Sequence, residues 1–193
     1  ADLEIAIPGV IDGMRYTRQG QACTAGSRVY IHEKIYDKVL DGAVKKLSKL
    51  KMGNALEEDS DIGAIISEEQ LKRTIYYMDI AKKNSSTKVL HGGNQSKGGE
   101  YKDGFYYEPT LLSGLPVSSP VCQEEVFGPV ACAIPFKSFD EVIKSANNTQ
   151  FGLSAVLWTK DLSRALQFVD EIEAGFVQVN QCVAPRANVS YGG

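Results

Sequence analysis

At 193 residues, with 43% hydrophobic and 23% charged content, the chain is long enough for one domain with a real core and too ordinary in composition to be disordered or fibrous. A net charge of -3 and a pI near 5.5 exclude a general electrostatic drive toward nucleic acid or an anionic membrane, which leaves a small neutral or anionic metabolite as the expected partner. The longest apolar stretches, such as Val130–Phe136, are far too short to span a bilayer, and the opening Ala1-Asp2-Leu3-Glu4 lacks the basic and apolar regions of a secretory signal. A soluble, cytoplasmic protein is the expectation. The four cysteines, at 23, 122, 132 and 182, form no Cys-x-x-Cys pair, and only His32 and His91 could join them at a metal. Structural zinc is therefore not expected, and free thiols are favoured over disulfides.

Taken in chain order, residues 2–18 place Leu3, Ile7, Val10 and Met14 on one helical face, with Asp2 as N-cap and Pro8 against a straight helix. A small-residue stretch, 19–27, follows without a core-forming period, and then the strand-like Arg28-Val29-Tyr30-Ile31-His32. Helices are expected at 33–50 and 68–84, separated by a solvated acidic loop at 57–61. A short strand at 88–90 leads into the Gly-rich segment 91–104, followed by strand-like pieces at 106–112 and 130–135. A helix at 139–147, a strand at 154–159, a helix at 161–172 and a strand at 175–180 complete the series. Strands alternating with such helices predict an α/β fold, a three-layer α/β/α arrangement on a mainly parallel sheet, with ligands bound at the carboxyl ends of strands.

Gly92 to Gly99 lacks the Gly-Lys-Ser/Thr ending of a phosphate loop and reads as a flexible turn, and the basic 45–51 segment reads as a solvated helix end. Cys132 in an apolar strand and Cys122 beside Pro120 read as packing residues. Cys23 differs, because its neighbours Gln21, Ala22, Thr24, Ala25 and Gly26 are small or polar, and the backbone amides of such a turn can bind an oxyanion.

The segment Gly20-Gln21-Ala22-Cys23-Thr24-Ala25-Gly26-Ser27-Arg28 resembles the active-site cysteine segment of the aldehyde dehydrogenase superfamily, whose recurrent core is Gly-Gln-x-Cys. Glu124-Glu125-Val126-Phe127-Gly128-Pro129-Val130 is similar to that family's second signature, and Asn147-Asn148-Thr149-Gln150-Phe151-Gly152-Leu153 and Gly175-Phe176-Val177-Gln178-Val179-Asn180 are similar to two later ones. The resemblance implies Cys23 as the nucleophile, Glu125 on the nicotinamide ribose hydroxyls, Phe127 against the nicotinamide, and Gln70 with Arg73 on the adenosine side of NAD or NADP. A ribose diol asks for a bidentate acceptor, which a carboxylate supplies.

In that family the general-base glutamate, the oxyanion-hole asparagine and the nucleotide-binding domain precede the cysteine segment. The resemblance thus implies that residues 1–193 are a single cysteine-bearing catalytic domain, truncated at both ends, of an enzyme that is a homo-oligomer at full length. The implied reaction is oxidation of a small aldehyde through a thiohemiacetal and a thioester, released by water or by coenzyme A. A non-catalytic binding or assembly module is the competing reading. Ala22, Thr24 and the loop 181–187, with Arg186, are expected to shape aldehyde selectivity.

Overall fold

Strand β4 (Val130–Phe136) alternates its side chains between two cores, and that alternation organises the three layers. The computed structural model describes residues 1–183 and 187–193, so the expectation for Arg186 lies outside the described residues. Strands β1 (Arg28–His32) and β3 (Thr110–Ser113) flank β4 and run parallel to it, while β2 (Lys88–His91) joins β3 antiparallel, giving the order β1-β4-β3-β2. Val130, Cys132 and Ile134 pack on one face against Leu71, Tyr77 and Met78 of helix α3 (Glu68–Lys83) and against Val121 and Cys122 of the short α4 (Pro120–Gln123). On the other face the small Ala131 and Ala133 admit α1 (Leu3–Gly13), through Ile11, and α2 (Tyr36–Leu47), through Leu40 and Leu47.

Local signals set where the helices begin. The Asp2 carboxylate accepts from the Glu4 amide at α1, and the Ser67 hydroxyl accepts from the Gln70 amide at α3. Helix α5 (Phe139–Asn147) opens with Ser138 and Glu141 in a reciprocal capping box. Helix α1 stops at Gly13 rather than continuing to Arg18, because Arg15 and Gln19 take left-handed backbone (φ 59° and 56°) around a single 3-10 turn at Tyr16–Arg18.

The fold class is the expected α/β three-layer one, but among the described residues the ladders fall into two sheets. Strands β5 (Ser154–Leu157) and β6 (Phe176–Val179) pair in parallel with each other only, with α6 (Leu162–Glu171) connecting them. Asn180, itself left-handed (φ 54°), clamps this pair: its amide accepts from the Thr159 N–H at 2.8 Å and donates to the Thr159 carbonyl at 2.7 Å. No helix is long and apolar enough to cross a membrane among the described residues.

Candidate active site

Cys23 sits at the tip of a tight turn between α1 and β1, closed by the Ala25 amide donating to the Ala22 carbonyl at 3.0 Å. The turn is pinned on both sides: the Gly26 amide donates to the Gly13 carbonyl, and the Gln21 side chain accepts from the Ile66 amide at 3.1 Å. The backbone amides of Cys23 and Thr24 donate to no described residue. Cys23 is exposed and all four cysteines are free thiols, while Cys122 and Cys132 are buried in the core as packing residues.

The loop 124–128 lies beside this turn, and the contact is made by glycines. Gly20 (φ 66°) approaches the carbonyl of Gly128 so closely that any Cβ would collide with it. The first glycine of the cysteine segment is therefore needed for close approach as well as for its left-handed backbone. Within the loop the two glutamates part ways. The Glu124 carboxylate accepts from the Tyr77 hydroxyl at 2.7 Å, whereas the exposed Glu125 side chain has no hydrogen-bond or ionic partner among the described residues. Only the Glu125 backbone carbonyl is engaged, by the Arg73 guanidinium, which also stacks over the Tyr77 ring at 5.2 Å. Phe127 is held in left-handed backbone (φ 53°), and the Gln70 amide donates to its carbonyl and to that of Val126.

Cys23, Glu125 and Phe127 line one cavity of about 740 Å³. Gln70 does not line it; its amide, like the guanidinium of Arg73, is spent on bracing the loop that carries Glu125 and Phe127. Cys23 and the 124–128 loop sit at the amino ends of β1 and β4, preceding Arg28 and Val130, and the same cavity runs on past the carboxyl ends of strands, where His32, Phe136 and Thr159 line it. The general rule describes loops that follow strands, whereas both chemical segments here are loops that enter them.

Tyr191, which carried no signal in the sequence, and Cys182, from the loop expected to shape selectivity, also belong to this neighbourhood. The Tyr191 hydroxyl is 3.0 Å from the Cys23 sulfur, across 168 positions of chain, and its ring meets Phe176 edge-on at 5.6 Å. Hydrogen bonding to Cys23 raises the Tyr191 phenol above its ordinary value. Cys182 lines the cavity near Gly13, half-buried, with burial raising its thiol.

Over residues 1–193 the sequence matches the model of the Aldehyde dehydrogenase family. The chain belongs to the aldehyde dehydrogenase family. Among aldehyde dehydrogenases it is 34% identical over 193 residues to betaine aldehyde dehydrogenase of Mesorhizobium japonicum, covering 100% of this chain and 39% of that protein. It is 36% identical over 192 residues to D-glyceraldehyde dehydrogenase (NADP(+)) of Picrophilus torridus, covering 99% of this chain and 38% of that protein. Its fold superposes on betaine aldehyde dehydrogenase of Staphylococcus aureus, solved in complex with NAD+, with TM-score 0.95 and 32% identity over 100% of this chain and 38% of that one. The chain thus spans well under half the length of the family members it matches.

Proposed function

We propose that residues 1–193 are the cysteine-bearing catalytic portion of an NAD(P)-dependent aldehyde dehydrogenase, with Cys23 as nucleophile and Glu125 and Phe127 addressing the nicotinamide riboside. The observation that carries this reading is the meeting of an exposed thiol and an uncommitted carboxylate on one cavity, through two loops locked together at Gly20 and Gly128. A diol-binding role fits Glu125, whose two oxygens have no partner among the described residues, and does not fit Glu124, which is tied to Tyr77. The Staphylococcus aureus betaine aldehyde dehydrogenase supports the reading, having been solved both with NAD+ and with a BME-modified cysteine.

The Cys23 thiolate adds to the aldehyde carbon, forming an S–C bond and moving the carbonyl electron pair onto oxygen, where the Cys23 and Thr24 amides meet it. Loss of hydride from that carbon leaves an acyl thioester on Cys23, and water or coenzyme A then breaks the S–C bond to release acid or acyl-CoA. Bound NAD or NADP supplies the hydride acceptor. Gln70 acts on the cofactor indirectly, by fixing the backbone that presents Phe127.

In this reading the base, a second oxyanion donor and most of the cofactor site lie outside these residues. The isolated chain therefore folds but does not couple aldehyde oxidation to NAD(P) reduction, since positioning of the two reactants supplies much of the rate. The test is NAD(P)H formation by a longer polypeptide that carries this chain, with and without Cys23→Ala. Loss of turnover in the variant is expected; retained turnover would refute the assignment. Steady NADH production by residues 1–193 alone would refute the division of labour.

A further inference from the structure

We propose that Tyr191 is a catalytic residue beside Cys23, its hydroxyl donating a hydrogen bond to the oxyanion that forms when the Cys23 sulfur adds to a carbonyl carbon. The proposal rests on the reading above, that Cys23 is the nucleophile.

The hydroxyl is delivered by the second sheet. Residues 191–193 lie against the amino ends of β5 and β6. Gly175, just before β6, comes so close to the Gly192 carbonyl that a Cβ would collide with it, and Gly193 is as close to Gly152 and Leu153, just before β5. The Gly175 amide also donates to the Gly152 carbonyl at 2.8 Å, so the strand entries and the 191–193 segment form one packed seat. A side chain at 175 or 193 would lift that segment away. From the seat the Tyr191 ring meets the buried Phe176 edge-on at 5.6 Å, an arrangement that aims the far end of the ring. The Tyr191 hydroxyl has one hydrogen-bond contact among the described residues, the Cys23 sulfur at 3.0 Å.

The phenol is suited to donate. Its hydrogen bond to Cys23 raises it above the ordinary value of 10.0, so at neutral pH it carries its proton. Sulfur is a weak acceptor and an oxyanion a strong, charged one, so the bond strengthens as the carbonyl electron pair moves onto oxygen. An interaction that gains strength on the way to the transition state accelerates the step, whereas one already at full strength on the resting sulfur does not. In the adduct the oxygen is two bonds from sulfur, within reach of a donor that already touches the sulfur. The S–C bond forms, the π pair becomes a lone pair on oxygen, and Tyr191 keeps its proton throughout. Collapse restores the C=O bond and expels hydride from an aldehyde adduct, or the alkoxide or phenoxide from an ester adduct.

Two reactions of Cys23 in residues 1–193 separate a role on the oxyanion from a role on the sulfur. p-Nitrophenyl acetate reacts through an oxyanion, whereas iodoacetamide is attacked at a saturated carbon and forms none. Tyr191→Phe keeps the ring against Phe176 and removes only the hydroxyl. It should slow the p-nitrophenolate burst roughly 10- to 100-fold and leave alkylation of Cys23 within about twofold of the parent rate. Discrimination against the thiono analogue of the ester, which places weakly accepting sulfur where the oxyanion forms, should shrink in the variant. An undiminished burst in Tyr191→Phe overturns the proposal, as does an equal loss of burst and alkylation, which would put the hydroxyl's effect on the sulfur. Either result leaves Cys23 the nucleophile. Absence of a burst from Cys23 in the parent chain sinks that reading itself, and the proposal with it.

Discussion

Gln70 and Phe127 are joined by a 2.8 Å hydrogen bond from a side-chain amide to the carbonyl of a residue in left-handed backbone, and the same amide nitrogen reaches Val126 at 3.0 Å. One helix residue thus secures a loop conformation that Phe127 adopts only when its surroundings over-determine it. Gln70→Ala should cost about 1–3 kcal/mol in urea unfolding, because two carbonyls lose their donor. Gln70→Glu should do no better, since a carboxylate facing two carbonyls donates nothing. Stability within a few tenths of a kcal/mol of the parent chain for both variants would show that the loop holds itself.

Glu125 invites the opposite experiment. Its side chain is exposed and without a partner among the described residues, so Glu125→Gln should leave the unfolding transition of this chain unchanged. In a longer, active polypeptide it should raise KM for NAD(P) roughly tenfold, one charge-assisted hydrogen-bond pair being weakened to neutral ones. Unchanged KM and kcat would remove Glu125 from the cofactor site.

Gly20→Ala should be the costlier glycine substitution. It combines left-handed backbone with a collision against the Gly128 carbonyl, and about 2–4 kcal/mol of destabilisation is expected. Gly99→Ala is the control: its φ of 55° is similarly positive, but nothing lies near its Cβ position, so roughly 1–2 kcal/mol is expected. Equal losses for the two variants would contradict close contact between the two loops.

Alkaline stability follows from two buried phenols. Burial raises Tyr16, whose hydroxyl donates to the Thr110 carbonyl at 2.7 Å, and Tyr107 well above the ordinary value of 10.0. Above pH 10 the unfolded chain has released protons that the folded chain retains, so stability is full below that pH and falls as pH rises through and beyond it. Each phenol steepens the loss by about 1.4 kcal/mol per pH unit while it stays protonated in the fold. Urea unfolding between pH 9 and 11 measures the slope, and a flat profile would contradict the burial.

Much of the fold was legible because it is written locally. Strand β1 and helix α5 have the bounds expected from the sequence, and α3 and α6 differ by one residue at their ends. The expected strand at 106–112 shrinks to Thr110–Ser113, since Pro109 has no N–H for a ladder and Tyr107 makes only an isolated bridge to Gln95. Residues 33–35 form a 3-10 turn instead of opening α2. Cys23, Glu125 and Phe127 were singled out through the resemblance of their segments, and all three line one cavity. Tyr191 beside Cys23 and Gly20 against Gly128 were not. Each depends on contacts between distant parts of the chain, for which periodicity and propensity carry no signal.

The central claim, that Cys23 is a nucleophile, can be tested on this chain without cofactor or aldehyde by using p-nitrophenyl acetate, an activated ester that a thiolate cleaves by the same addition. Peptide mapping after a short exposure at neutral pH is expected to find one acetyl thioester, on the peptide bearing Cys23, and both the adduct and the rapid p-nitrophenolate release should vanish in Cys23→Ala. Acetylation of another side chain instead, or rapid release undiminished in Cys23→Ala, would contradict it.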